Sequence, residues 1–546
     1  MLPDELCERE RRRGWRTGDG RRTARSVAAD RALERCGEER GEDGRDLPHP
    51  ATIRATPSKL RAPAPILLLA GAIALTSPTP ASAASSCPAP RPARCLHVVV
   101  PLDRSGKVPG TIRIRAARIR SRRSVLPPII GLTGGPGQAG VSFLSDYDYI
   151  LPTGGRDLVM LDQRGTGASG LLRCRSLESR FARDVSRAVA ACGRSLGARR
   201  SFYTSADSAD DIEALRIRLG VPRIALFAVS YGTRVAVEYA RRYPQRVERM
   251  ILDSAVSIDA PDSLARETLG AVGRVLRAVC RTGCGGGQLH PVADLARLVP
   301  RLRQKPIRRV VRRGSRRVSI SIGADDLLDL LFASDLNTPL MRRIPPAVRS
   351  AVAGNSGPLV RLELSLMSAD SGSAESVSEF SSAVYLATTC EESTLLWDPT
   401  ATPEIRRRQA RAAADATPDS YFAPFDRLAG LHFGLLPVCG EWPARERVVE
   451  PDPPLPITVP TLVLSGDLDL RTPLEGARYL AALLHGKVVV EQGVGHGVLG
   501  RDPNGCATPA VEAFLAGRPL PQCQRSAGIT IEPRAARHIV VPRPQL

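Results

Sequence analysis

The chain has 546 residues, 43% apolar and 24% charged, with a formal net charge of +21. That length exceeds one ordinary domain, and the apolar share is ample for a core, so a wholly disordered chain is excluded. The charge does not by itself signal a nucleic-acid binder. The first 61 residues carry 15 Lys and Arg against 12 Asp and Glu. The densest run, Arg301 to Arg317, holds nine cations in seventeen residues, and neither a nucleic-acid motif nor stacking aromatics accompany it.

Residues 1–58, with RERRRGWR and EERGEDGRD, read as a disordered prelude. Either a misplaced start codon or an extended leader accounts for it. Residues 59–83 have the form of a signal peptide: Lys59 and Arg61, the apolar stretch Ile66 to Leu75, then Ala81-Ser82-Ala83 as the cleavage pattern. The expectation is a secreted chain cut after Ala83; ten apolar residues fall short of a membrane span, so no stable membrane insertion is expected. Of the twelve Cys, ten follow the cut, an even number that suits disulfides in an exported protein. Nearest-neighbour pairing predicts Cys87–Cys95, Cys174–Cys192, Cys280–Cys284, Cys390–Cys439 and Cys506–Cys523. The Cys spacings form no paired zinc knuckles.

From Leu96 the pattern becomes strand-like, with HVVVPLD and the alternating GTIRIRAARIR. PPIIGLTGGPGQAG and RDLVMLDQRGTGASG each read as a buried strand running into a Gly-rich loop. Ser205 to Leu219 reads as a helix, with Ile212, Leu215 and Leu219 on one face. RIALFAVS is a strand, YGTRVAVEYARRYP a helix and VERMILDSAV a strand. This alternation predicts a mostly parallel sheet covered by helices on both faces, over 84–256. Residues 257–450 turn mainly helical and read as an insertion forming a cap over the strand ends. Within it, RRVVRRGSRRVSISI reads as an exposed two-stranded hairpin around Gly314-Ser315. The Pro-rich stretch Glu450 to Pro460 returns the chain to the sheet, which resumes over 451–525. A tail, 526–546, follows.

Three loops at predicted strand ends carry the chemistry. Ser230 lies in Ala228-Val229-Ser230-Tyr231-Gly232 between a strand and a helix. Small residues two positions either side permit the strained turn of a nucleophile elbow, as found in the α/β-hydrolase fold. A serine nucleophile needs a base and the base an orienting acid, in this fold in the order Ser, acid, His. Of the later histidines, His496 sits in the glycine-flanked loop GVGHG directly after a strand. Asp467 and Asp469 both follow the strand PTLVLSG and compete for the acid. The Gly134-Gly135-Pro136-Gly137 loop, with the backbone N–H of Gly135, and the N–H of Tyr231 would form an oxyanion hole.

Together, TGGPG (Thr133–Gly137), DQRGTGAS (Asp162–Ser169), AVSYGT (Ala228–Thr233), GDLDLRTP (Gly466–Pro473) and GVGHG (Gly493–Gly497) resemble the tripeptidyl aminopeptidase and proline iminopeptidase group of α/β-hydrolases. The resemblance runs from about Cys87 to Cys523 and is nearer to the secreted tripeptidyl aminopeptidase branch, which also has a Cys near the end of the cap and a C-terminal Cys pair. It implies an exopeptidase acting at free peptide N-termini: Ser230 attacks, His496 shuttles the proton and Asp469 orients His496. A cap acid holds the substrate α-ammonium, and Glu392 in Cys390-Glu391-Glu392 matches that position. The sequence departs from the group at Thr133, where proline iminopeptidases have His, and at Ala228, where the elbow has Gly. Neither departure removes a catalytic side chain.

A carboxylesterase would use the same triad, and a non-catalytic cell-surface binding protein could keep the same fold. No cofactor or metal signature is found, so no cofactor is expected. The partners expected are a peptide with a free N-terminus and, through Arg301–Arg317, an anionic cell surface; nucleic acid is not among them.

Overall fold

A computed structural model describes residues 86–522, apart from 88–91, 123, 179–183, 258–261, 282–283, 285–289, 314–315, 373–375, 446 and 448–456. All of the described residues belong to one compact unit, Pro80–Leu546. The predicted prelude, signal peptide and tail lie outside them.

Short apolar runs make the strands. β1 (Ser86–Cys87), β2 (Ala93–Pro101) and β3 (Thr111–Ile119) are followed by β4 (Ile129–Leu132), β5 (Leu158–Leu161), β6 (Ile224–Val229) and β7 (Val247–Asp253). A separate hairpin, β8 (Ile307–Arg313) and β9 (Arg316–Ile322), precedes β10 (Thr461–Gly466) and β11 (Lys487–Glu491). Nine of these form one sheet in the order β1-β2-β3-β5-β4-β6-β7-β10-β11. The pairs from β5 to β11 are parallel and those among β1, β2, β3 and β5 antiparallel. The chain therefore has the α/β-hydrolase fold, with a mostly parallel sheet.

The two faces of the sheet fill two cores. Ile130, Leu132, Val159, Leu161, Leu226 and Ala228 pack on one side; Ile129, Leu158, Met160, Ala225 and Phe227 pack on the other. This period of two is that of strands covered on both faces, and it explains why these runs are continuously apolar. The helix Ser205–Leu219 starts in a capping box between Thr204 and Asp207 and ends at Gly220, which takes φ 69°. Its Ile212 and Leu215 are buried and Leu219 is half-buried.

Between β7 and β10 the described chain is mainly helical, and buried residues of these helices, including Leu327, Leu331, Met341 and Leu386, belong to the same core as Ile130 and Leu226. The hairpin pairs Arg309 with Ile320, Val311 with Val318 and Arg312 with Arg317. The basic run divides. Arg303 is spent on Asp325 and Asp426, whereas Arg308, Arg309, Arg312 and Arg317 are exposed.

Four of the predicted disulfides are present: Cys87–Cys95, Cys174–Cys192, Cys280–Cys284 and Cys390–Cys439. Cys506 is also disulfide-bonded; Cys523 lies outside the described residues. Among the described residues no helix is long and apolar enough to cross a membrane.

Candidate active site

Ser230 follows β6 and caps the helix Tyr231–Arg242 with φ 57° and ψ −129°. A non-glycine residue at positive φ is strained and needs its surroundings to hold it. Here the Ser230 N–H donates to the Asp253 carbonyl (3.0 Å), and its own carbonyl accepts from the Thr233 N–H (2.9 Å) and the Thr233 hydroxyl (2.6 Å). Gly232 has no room for a side chain, because a Cβ would lie 2.7 Å from the carbonyl oxygens of Leu132 and Thr133. The helix can thus press against the end of β4, which points its positive N-terminus across the sheet edge. The alanine at 228 costs the turn nothing: it is a buried strand residue paired with Leu132 and Leu252.

Asp469 follows β10 and His496 follows β11. Both are buried, and His496 Nδ1 lies 3.0 Å from Asp469 Oδ2. The other Asp469 oxygen accepts from the N–H groups of Arg471 (2.8 Å) and Thr472 (2.9 Å), and the Thr472 hydroxyl also donates to Oδ2 (2.8 Å). Burial alone would raise the Asp469 pKa, but the imidazole charge, its hydrogen bond and the Thr472 donors outweigh burial and hold the carboxyl below its ordinary range. With Nδ1 on the carboxylate, the imidazole leaves Nε2 as the acceptor, and among the described residues that buried atom meets no partner. Asp467, the competing acid, faces elsewhere: its carboxylate accepts from Gly493 N–H (2.7 Å) and pairs with Arg281 (3.3 Å).

Two acids that the sequence did not single out brace the His496 loop. Asp253, the last residue of β7, accepts from the N–H groups of Val498 and Leu499, both at 2.8 Å. Burial raises its pKa, against the pull of those donors. Since its carbonyl also receives Ser230, Asp253 ties the elbow to the histidine loop. Asp335, from the helical stretch between β7 and β10, takes the His496 N–H on its carbonyl (3.2 Å) and Arg471 Nε on its carboxylate (2.9 Å). The signal for Asp253 was an acid closing an apolar strand; Asp335 had none, because its partners lie more than 130 residues away.

The glycine loop lies against the elbow. A Cβ on Gly134 would sit 2.9 Å from Ser230 Cβ and 3.3 Å from its Oγ. Among the described residues the N–H groups of Gly135 and Tyr231 meet no acceptor. The DQRG motif props this loop from below. Gln163 Nε2 donates to Thr133 carbonyl (3.1 Å), Asp162 accepts from Val141 and Ala168, and Arg164 forms a buried bidentate pair with Asp211. The segment around Phe380 crosses the loop: Ala139 N–H donates to Glu379 carbonyl and Ser381 N–H to Gly137 carbonyl, both at 2.9 Å.

Glu392 is placed differently from the rest. Its Oε2 accepts from the backbone N–H (2.7 Å) and hydroxyl (2.8 Å) of Ser205, and its Oε1 lies 3.2 Å from Arg234 Nε. Both oxygens are thus engaged inside the protein. The charge is matched by Arg234, which a substrate ammonium would have to displace. Glu391 is buried with Arg200, Ser201 and Trp442.

Two family models match this chain: one described as the alpha/beta hydrolase fold over residues 127–278, and one described as a TAP-like protein over residues 428–526. The chain has the alpha/beta hydrolase fold. It is 24% identical to a tripeptidyl aminopeptidase of Streptomyces lividans, across 78% of this chain and 82% of that one. It is likewise 24% identical to the serine protease Hip1 of Mycobacterium tuberculosis, across 79% and 86%. A probable proline iminopeptidase of Streptomyces coelicolor is 31% identical over a shorter stretch, 27% of this chain and 38% of that protein. The resemblance to the tripeptidyl aminopeptidase group thus extends over most of the chain.

Proposed function

We propose that this α/β-hydrolase is a secreted serine peptidase that removes short peptides or residues from free N-termini through an acyl-enzyme. The observation that carries the reading is the buried Asp469–His496 contact of 3.0 Å, set on the same strand-end edge as the elbow serine. In this reading Ser230 Oγ attacks the scissile carbonyl while His496 Nε2 takes its proton and later delivers it to the leaving amine. Asp469 fixes the tautomer and stabilises the imidazolium. The N–H groups of Gly135 and Tyr231 receive the oxyanion. Residues 257–450 act as the cap, and Glu392 receives the substrate ammonium by exchanging its Arg234 partner. The signal peptide of residues 59–83 exports the chain, a compartment in which its disulfides persist. The exposed arginines of the hairpin suit an anionic cell surface.

The test uses protein beginning near Ala84. An unblocked tripeptide anilide, its N-acetylated twin and a short p-nitrophenyl ester are compared, with Ser230→Ala as control. Cleavage of the unblocked peptide alone, lost in the control, is the expected result. Ester cleavage indifferent to the blocking group would make the protein an esterase instead.

A further inference from the structure

His496 is held at its backbone as well as at its ring. Its N–H donates to the Asp335 carbonyl (3.2 Å), and Asp335 directly follows the helix Ala324–Ser334. The approach is close because residue 495 is glycine: a Cβ there would lie 1.8 Å from the Asp335 carbonyl oxygen. Thr338, at the start of the next helix, reaches the same loop, its hydroxyl donating to the Gly493 carbonyl (3.2 Å).

The Asp335 side chain engages the Asp469 loop instead. Its Oδ1 accepts from Arg471 Nε at 2.9 Å, and both side chains are largely buried. The Arg471 guanidinium also lies 4.2 Å over the centre of the Phe332 ring, on the helix that Asp335 follows. Arg471 in turn donates its backbone N–H to Asp469 Oδ1 (2.8 Å), and Asp469 Oδ2 meets His496 Nδ1 (3.0 Å). These links close a ring that runs from His496 to Asp469, Arg471, Asp335 and back to His496.

Holding Asp335 in this place is costly. Its Oδ2 is buried, and among the described residues it has no hydrogen-bond partner. Burial, with Asp469 nearby, pushes its carboxyl above the ordinary range, against the pull of Arg471 and His496. A pair that only fastened two segments would be served as well or better by apolar side chains.

We propose that Asp335 and Arg471 are positioning residues for the reaction, closing the Asp469–His496 contact into a ring through which the helical stretch between β7 and β10 sets the aim of the base. The inference rests on Ser230, His496 and Asp469 forming the catalytic unit. Neither residue needs to touch substrate: Asp335 acts through the His496 backbone and Arg471 through the Asp469 carboxylate. One contact at Nδ1 leaves the imidazole free to pivot about it. The second hold, on the backbone, fixes the line along which Nε2 is aimed, and an error of about 1 Å in that aim costs about 10²-fold in rate.

The test compares Asp335→Ala, Arg471→Ala and the double variant by kcat and KM, by thermal melting, and by the low-field NMR resonance of the His496 Nδ1 proton. Each single variant leaves a buried charge unmatched and should melt earlier; the double variant removes both charges and should recover much of that loss. All three should nonetheless lower kcat about 10²-fold with KM within about threefold, the double no further than the singles, and should shift or broaden the resonance. If the pair is only a staple, kcat and the resonance of the double variant will return to wild-type values with its stability, and that result overturns the proposal. Should these variants fail to fold, Arg471→Lys decides. It keeps the charge balance but not the planar Nε donor, so it should fold and lose about 10-fold in kcat. A kcat within about twofold of wild type, with the resonance unmoved, overturns the proposal equally. His496→Ala is run alongside: full activity there would sink the catalytic reading itself, a failure separate from that of Asp335 and Arg471.

Discussion

The strand-end loops and the helical stretch between β7 and β10 both bury charged groups, but they use them differently. At the strand ends, Asp253 accepts hydrogen bonds from the backbone of Ser230 and of the His496 loop, and Asp469 accepts from the backbone of Arg471 and Thr472 and meets the His496 imidazole. Their charge is spent on aiming other residues. In the helical stretch, Glu391 sits with Arg200 and Asp294 with Arg349, and these pairs join one helix or segment to another. The two regions meet at two places in particular: the Phe380 strap over the glycine loop, and Asp335 on the His496 loop. The contrast teaches that a buried acid can serve to aim a loop or an imidazole, as Asp253 and Asp469 do, or to join neighbouring elements through a guanidinium, as Glu391 and Asp294 do.

The sharpest way to break this comparison is at Asp469. Asp469→Asn should cut kcat about 10⁴-fold, as expected when the group that sets the histidine tautomer is lost. Asp467→Asn should leave turnover within about an order of magnitude of wild type, because Asp467 orients a loop rather than the imidazole. Steady-state kinetics on both variants checks the pair, and reversed magnitudes would exchange their roles.

A staple should show itself in stability. Glu391→Ala strands the Arg200 guanidinium in the interior and should cost about 3–5 kcal/mol in denaturant unfolding. Residual folded enzyme should retain its kcat. Asp253→Asn should do the opposite: it keeps one acceptor of two, so the fold survives, but the histidine loop shifts and kcat falls about 10²-fold. Thermal melting measured beside kinetics separates the two behaviours.

The smallest effect is a pH dependence. Glu491 ends β11, and burial, with Asp502 beside it and despite the bond from Asn504, lifts its pKa to about 7. The folded protein therefore binds this proton more tightly than the unfolded chain does. Its contribution is fully present below the ordinary Glu range and is lost as pH rises toward 7. Glu491→Gln should remove that slope and raise Tm at pH 8 relative to wild type, with little change near pH 4, as followed by calorimetry.

The sheet was legible because buried parallel strands such as IIGL, LVML and IALFAV are short, apolar and followed by glycine-rich turns. The same local chemistry put Ser230, Asp469 and His496 at strand ends, and the structure brings Asp469 and His496 into contact. The choice of Asp469 over Asp467 was not legible from local pattern, since both follow one strand by a few residues; only the resemblance separated them. Asp335 and the Phe380 strap were hidden for a different reason. Their partners are distant in sequence, and nothing in a helical stretch marks which carbonyl will meet a loop. For Glu392, its position after a Cys suggested an acid for the substrate ammonium, but nothing local marked Ser205 and Arg234 as the partners of its oxygens.

The most direct test of the account is covalent labelling with a fluorophosphonate, which reacts only with a serine activated by its neighbours. Peptide mapping of the labelled wild-type protein should place the adduct on Ser230, with labelling slowed strongly in Asp469→Asn and abolished in His496→Ala. An adduct on another serine, or equal labelling in all three proteins, would contradict the assignment of Ser230, His496 and Asp469 as one catalytic unit.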